Sequence, residues 1–309
     1  MVVGIHNSGN NCFAIASIQL LARAFNPDLI EEIKNPFTLS SVWKDMVKKL
    51  ITPTNVYSYL NINHFLNVLI TNSNGLFQLG RQEDSNEFIL YFLDKLSSDT
   101  KNITQLPTRK YYNMLVSTIQ DNQITNKTRI GETLTKFIKA FDNYESAGWC
   151  NRFNWIGCSV VMEKNSSYST TIEYLTSLFI PITSNQLLDC INIELRGEIL
   201  ENDKLRKLFI WHFPEYLLIS LKRFNQNGTK NLDMVYCPLL MDLTHLEFNN
   251  TPAKYMLVGY VSHQGSVNQG HYYTVVIENN KIWRLDDDNV CEINNIDDSG
   301  AYIIMYKRI

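Results

Sequence analysis

The sequence predicts an α+β fold, on three observations. Residues 1–97 carry apolar side chains at helical spacing, and from about Lys136 onward short runs rich in aromatic and β-branched residues dominate. Between them, residues 98–135 form a polar segment rich in Asn, Thr and Lys, with the character of a surface loop bearing short helices. Helices first and strands afterwards is an α+β order. A chain of 309 residues can bury a substantial core, so a single domain over 1–309 is expected.

The helical part opens with Cys12–Phe25, where Ile15, Ile18, Ala22 and Phe25 recur at helical spacing and Leu21 widens the stripe. Asn10 or Asn11 is the expected N-cap, which puts Cys12 in the first turn of a partly buried helix. Further helices are expected over Leu29–Glu32, Ser41–Leu50, Ile62–Leu69 and Ser85–Leu96. Strands are expected over Ser159–Glu163, Tyr168–Ile172, Leu178–Ile182, Leu217–Phe224, Tyr255–His263, Tyr272–Glu278, Lys281–Leu285 and Tyr302–Lys307. Asn279-Asn280, which tolerates the positive φ of a tight turn, joins two of these strands into a hairpin.

That hairpin carries the first chemical signal. A two-residue turn pairs Glu278 with Lys281 and, continued outward, sets Tyr273 opposite Asp286 and His271 opposite Asp288. Alternation puts Asp286 and Asp288 on the histidine's face and points Asp287 away, barring a β-bulge. Diagonal neighbours remain within reach of a ring, so either aspartate can orient the imidazole. The missing nucleophile is Cys12, which follows the turn-rich run Gly4 to Asn11. The positive end of a helix and a nearby imidazolium both favour the reactive thiolate. As a lone residue, Cys12 reads more readily as a small core hydrophobe.

Four segments carry a family resemblance. Gly4 to Phe13 with Gln19-Leu20-Leu21 resembles the cysteine box of the ubiquitin-specific proteases. Tyr255–Tyr260 through His263, Gly270-His271-Tyr272 and Trp283 to Asp288 resemble that family's histidine box. Gln82 to Phe88 followed by Leu93-Asp94-Lys95-Leu96 is similar to its Gln-Asp-Glu-Phe helix, and Pro214 to Phe224 to its Leu-Lys-Arg-Phe strand. The motifs stand in family order and span nearly the whole chain. The resemblance implies a papain-like cysteine protease fold, with a helical thumb over 1–97 and a β-sheet palm and reduced fingers over 136–309. It implies a deubiquitinase hydrolysing the bond after the C-terminal Gly of ubiquitin, its site assembled across the thumb–palm cleft. Cys12 is then the nucleophile, His271 the general base and acid, and Asp286, preferred over Asp288, the group that orients the ring. Asp287 matches a position sometimes credited with supporting the site, against the parity argument. Asn7 matches the oxyanion-hole asparagine, which together with the Cys12 N–H donates to the tetrahedral intermediate. Asp84, Glu87 and Gln82 match positions that contact the ubiquitin tail, and Gly270 allows the close backbone approach that a Gly-Gly tail requires.

Some departures have consequences. Ile15 and Ala16 stand where the family usually has Asn-Ser, which removes polar support beneath the site, and Asn11 replaces the usual threonine. Relatives often hold zinc with two Cys-x-x-Cys pairs. Here Cys158 is single in the first pair's place and Cys190 is at best a remnant of the second; Cys150 and a remote His212 do not restore the paired spacing. No metal and no cofactor are expected.

With 45% apolar and 12% aromatic residues the chain is globular, and a net charge of −3 without a basic cluster argues against nucleic acid. Six scattered cysteines are no disulfide framework, and a reactive thiol favours a reducing compartment, so a cytoplasmic or nuclear location is expected. Met1–Gly4 lacks the pattern of a signal peptide, and the apolar run Tyr216–Leu221 is too short to span a bilayer, so no membrane association is expected. With the first motif opening at Gly4, no targeting or adaptor domain is expected ahead of it. The expected partners are ubiquitin and ubiquitinated proteins, met by a monomer. The rival readings are an inactive ubiquitin-binding pseudoprotease and a protease for another ubiquitin-like modifier.

Overall fold

The computed structural model describes residues 2–25, 39–51, 59–78, 80–100, 152–162, 168–200, 204–225, 227–247, 251–266, 269–296 and 299–309. The expected helix at Leu29–Glu32, Cys150 and all of the polar segment beyond residue 100 lie outside the described residues. Among the described residues the helices are α1 (Cys12–Leu21), α2 (Leu39–Ile51), α3 (Asn63–Thr71), α4 (Ser85–Thr100) and α5 (Leu187–Arg196). The strands are β1 (Gly4–Ile5), β2 (Tyr59–Leu60), β3 (Trp155–Met162), β4 (Tyr168–Leu175), β5 (Ser177–Pro181), β6 (Glu198–Leu200) and β7 (Lys204–His212). They continue with β8 (Tyr216–Lys222), β9 (Leu240–Asp242), β10 (Lys254–Gly265), β11 (Gly270–Glu278), β12 (Lys281–Asp286), β13 (Asn289–Ile293) and β14 (Ala301–Arg308).

The central sheet runs β13-β12-β11-β10-β14-β8-β5, with β9 added to β10, and is antiparallel except for the β5–β8 pair. A second sheet, β4-β3-β7-β6, forms the fingers-like lobe. Both faces of the central sheet are covered. On β8, Tyr216 and Leu218 join the core shared with α1–α4, while Leu217, Ile219 and Leu221 join a second core with α5. A strand buried on both sides reads as a near-continuous apolar run, which is why Tyr216–Leu221 shows no alternation and only Ser220 interrupts it. The thumb core is aromatic: Trp43 meets Phe92 edge-on at 4.7 Å and Phe25 at 5.2 Å, and Phe65 meets Phe92 at 5.4 Å.

One expectation needs correcting here. Helix α1 is buried along its whole length, not partly, because it lies between α4 and β11. Its polar residues are satisfied inside: Ser17 Oγ donates to the Phe13 carbonyl at 2.7 Å and Gln19 Nε2 to the Val3 carbonyl at 2.7 Å. The C-terminal part is dominated by strands as expected, and α5, which holds Cys190, is an added helix that the expected elements did not include. Its neighbours Leu187, Ile191 and Leu195 are buried at helical spacing, and Arg196 and Gly197, at φ 108°, close the helix.

The hairpin register is the expected one. Glu278 pairs with Lys281 and Thr274 with Leu285, around Asn279 and Asn280 at φ 53° and 60°. No described helix is long and apolar enough to cross a membrane.

Candidate active site

Helix α1, strand β11 and the β12–β13 turn bring the predicted residues together. Cys12 is the first residue of α1, so its backbone N–H has no acceptor within the helix. Asn11 occupies the N-cap position, but its side chain does not cap the helix. Cys12 is 3% exposed and bonded to the imidazole of His271. On the ring's far side, His271 Nε2 lies 2.5 Å from Asp286 Oδ1. The ring is pushed up to about 10 from its usual 6.5, first by the bond to Asp286 and then by the bond to Cys12, against the pull of burial. Asp286 is held below the usual carboxylate range, chiefly by the same bond. A thiol, an imidazole and a carboxylate therefore stand in line, with the imidazole favoured in its charged form.

The structure also decides between the two aspartates. Strand β12 ends at Asp286, which pairs with Asn289, so Asp287-Asp288 is itself a two-residue turn. Asp288 leaves the strand before it can face His271 and lies 3.9 Å from His6 Nδ1. The expectation that Asp287 faces away is wrong for the same reason. At φ 53° it escapes strand parity, and its Oδ2 accepts from Asn7 Nδ2 at 2.9 Å. Burial raises its carboxyl, and one of its oxygens lies within 4.8 Å of a His271 ring nitrogen and an Asp286 oxygen. Parity missed this contact because it ends where a turn begins, whereas the family resemblance had matched Asp287 to a supporting position. The repeated aspartates, at home in turns, were the available signal.

Asn7 is oriented from both ends. Its Oδ1 accepts the backbone N–H groups of Gly9 and Asn11 at 3.0 and 3.2 Å, so the amide nitrogen faces Asp287 with one hydrogen left over. The loop carrying it is tied down by Ile5 N–H to the Asp287 carbonyl and His6 N–H to the Leu60 carbonyl, both at 2.8 Å. A Cβ on Gly4 would meet the Asp288 carbonyl at 2.5 Å, so only glycine lets these chains approach. Beneath the site, Ile15 and Ala16 are each 2% exposed, and Thr274 Oγ1 donates to the Ala16 carbonyl at 2.7 Å.

A cleft of about 540 Å³ reaches Gly270, the residue before His271 in the chain, and is lined by Gln82, Glu83, Asp84, Glu87 and Tyr302 among others. Asp84 proves to be the N-cap of α4. Its Oδ1 accepts from the N–H groups of Asn86 and Glu87 at 2.7 and 3.0 Å, and its Oδ2 from the Tyr302 hydroxyl at 2.8 Å. Glu87 is exposed in the cleft; its carboxyl is raised, first by burial and then by Asp84 and Glu83. Gln82 Nε2 bridges the cleft to the Gly270 carbonyl at 3.0 Å. A Cβ on Gly270 would strike His263 Nε2 at 2.0 Å, so the immediate reason for glycine there is the ring beneath it. His263 is buried and held down to about 4, by burial first and then by Lys230 and His271, so the wedge is uncharged.

Of the residues weighed for zinc, Cys190 and His212 are engaged elsewhere, while Cys150 and the side chain of Cys158 lie outside the described residues. Cys190 is buried in the second core, where its thiol donates to the Ser184 carbonyl at 3.2 Å and accepts from the Ser184 N–H at 3.3 Å. His212 faces Glu247 at 3.3 Å.

Comparison with known proteins agrees with this geometry. The family profile "Ubiquitin carboxyl-terminal hydrolase" matches residues 3–306. The probable ubiquitin carboxyl-terminal hydrolase 4 of Schizosaccharomyces pombe is 25% identical, over 99% of this chain and 58% of its own length. Ubiquitin carboxyl-terminal hydrolase 21 of Arabidopsis thaliana is 24% identical, over 99% of this chain and 42% of its own length. The chain thus spans less than two thirds of either relative. Among solved structures, a chain of the SAGA Ubp8/Sgf11/Sus1/Sgf73 DUB module bound to ubiquitin aldehyde matches all of this chain and 70% of its own, with a TM-score of 0.73 at 20% identity. That likeness shows the fold, the papain-like arrangement of thumb, palm and fingers.

Proposed function

This chain belongs to the ubiquitin carboxyl-terminal hydrolase family, and from that membership and the site geometry we propose that it is a thiol-dependent deubiquitinase. It cleaves the isopeptide or peptide bond after the C-terminal glycine of ubiquitin. The observation that carries this reading is the unbroken line from Cys12 through His271 to Asp286.

The Cys12 thiolate attacks the glycine carbonyl carbon, and the carbonyl electrons move to oxygen. Asn7 Nδ2 and the Cys12 N–H receive that oxyanion. As it collapses, the C–N bond breaks and the imidazolium of His271 protonates the leaving amine. Water, deprotonated by the now neutral ring, attacks the thioester. Collapse expels the Cys12 thiolate and releases the ubiquitin carboxylic acid, which ionises to solvent, so the thiolate and imidazolium pair is restored. Asp286 holds the ring tautomer throughout. Ubiquitin and ubiquitinated proteins are the proposed partners, met in the cytoplasm or nucleus, where a free thiol survives.

In this reading the acidic cluster of Glu83, Asp84 and Glu87 receives the arginines of the ubiquitin tail. Asp84 is already bound by its cap and by Tyr302, so Glu87 is the freer acceptor. Glu87→Lys is expected to raise KM for a ubiquitin C-terminal amide about tenfold while kcat stays near wild type, as steady-state kinetics will read. Asp287→Ala removes the anchor of Asn7 and is expected to lower kcat roughly tenfold to a hundredfold at unchanged KM.

The direct test is incubation with ubiquitin carrying a C-terminal electrophile, followed by intact mass. A single covalent adduct on Cys12 supports the proposal. A complex that stays non-covalent identifies a binder without activity, and no complex at all removes ubiquitin as the substrate.

A further inference from the structure

Arg284 stands two residues before Asp286 on β12, on the same face of the strand. Its Nη2 donates to Asp286 Oδ2 at 2.8 Å, the oxygen that His271 does not use. Its guanidinium lies 4.0 Å over the ring of Tyr273, a β11 residue that is 3% exposed. Planar stacking on a buried ring and a bond to one carboxylate oxygen fix the guanidinium in a way that a flexible ammonium cannot reproduce. Each oxygen of Asp286 therefore has its own cationic partner, which holds the plane of the carboxylate in a fixed orientation to the His271 ring.

We propose that Arg284 is a positioning residue for the reaction of this site, clamping Asp286 so that the aspartate holds His271 in place and attracts its positive charge less than a lone carboxylate would. This rests on the deubiquitinase reading for its effect on turnover, but not for its effect on the ring. The charged and titratable groups facing His271 are Cys12 from α1, Asp286 and Asp287 from the end of β12 and its turn, and His263 from β10. Those facing Arg284 are Asp286, Tyr273 from β11 and Cys291 from β13. Arg284 is the cation added to this otherwise acid-rich surround, so removing it leaves the imidazolium in a more negative field.

The test is an NMR titration of the His271 ring in wild type, Arg284→Gln and Arg284→Lys, beside turnover of a ubiquitin C-terminal amide. In Arg284→Gln the His271 titration is expected to move upward by about half a pH unit, a partly exposed guanidinium being screened by water. Arg284→Lys keeps the charge and is expected to titrate close to wild type. Turnover should fall about tenfold in kcat with unchanged KM for Gln, and less for Lys, which lacks the stacked fork. A His271 titration that stays put or moves downward in Arg284→Gln overturns the proposal, as does a Lys variant displaced as far as Gln. Wild type that titrates as expected but hydrolyses no ubiquitin amide instead tells against the substrate reading and leaves the clamp standing.

Discussion

Cys12→Ala is expected to lose hydrolysis of a fluorogenic ubiquitin C-terminal amide by a factor on the order of 10⁴ or more. The variant retains the oxyanion donors and the cleft, so weak residual turnover above the uncatalysed rate is compatible with the assignment. What it lacks is the sulfur that forms the thioester, and no other described cysteine stands near the imidazole: Cys190 and Cys237 are buried in the second core, and Cys291 lies across β13 from Arg284. Folding is expected to survive, because the change trims a single side-chain atom at the end of a helix whose other residues keep their packing. Binding of unmodified ubiquitin, followed by calorimetry, should stay close to wild type, since Cys12 contributes chemistry and little surface. Full activity in Cys12→Ala would remove the nucleophile from the scheme.

The second large effect is expected for Asp286→Asn, which keeps the shape and removes the charge. Turnover should fall by roughly a thousandfold or more, because an amide beside Nε2 can present its N–H and favour the wrong ring tautomer. The pH dependence tells this loss from simple misfolding. In wild type the ring stays charged until about pH 10, with Asp286 the leading cause. Without that carboxylate, loss of the imidazolium should occur at lower pH, and the alkaline limb of kcat/KM should move toward neutrality. That is opposite in sign to the shift expected for Arg284→Gln, so the two variants check each other.

The same pair links to stability. The folded-state value of His271 lies above its unfolded one, so its contribution is fully present below about pH 6.5 and is lost as pH rises through about 10. Asp286 is depressed, so its contribution is present above the ordinary carboxylate range and is lost as pH falls through its lowered value. Wild type should therefore keep the pair's contribution between these limits. Asp286→Asn should lose it, flattening the decline of Tm at high pH. Both groups are partly exposed, so the effect on Tm will be small beside that on turnover.

Much of this site could be read from local pattern. The apolar spacing after Asn11 located the start of α1 and so the place of Cys12, and Ser85 was correctly read as the first residue of α4. The Asn279-Asn280 turn set the β11–β12 register, and alternation then brought His271 and an aspartate to one face. These are short-range properties, fixed by backbone periodicity and turn sterics within a few residues. The helix Leu187–Arg196 carries the same kind of signal, with Leu187, Ile191 and Leu195 at helical spacing.

The sequence by itself determined the nucleophile's helix, the histidine's strand and the acid character of the cleft. The motif resemblance already favoured Asp286 over Asp288, and the structure agrees. Only the tertiary structure turned Asp287 toward Asn7 across 280 positions, seated Arg284 on Tyr273 and explained Gly270 by the ring of His263. The physical reason is that strand parity holds only while the strand lasts. Where β12 turns at Asp287, the direction of each carboxylate is set by contacts with distant segments, and these exist only once the thumb and the palm have packed together.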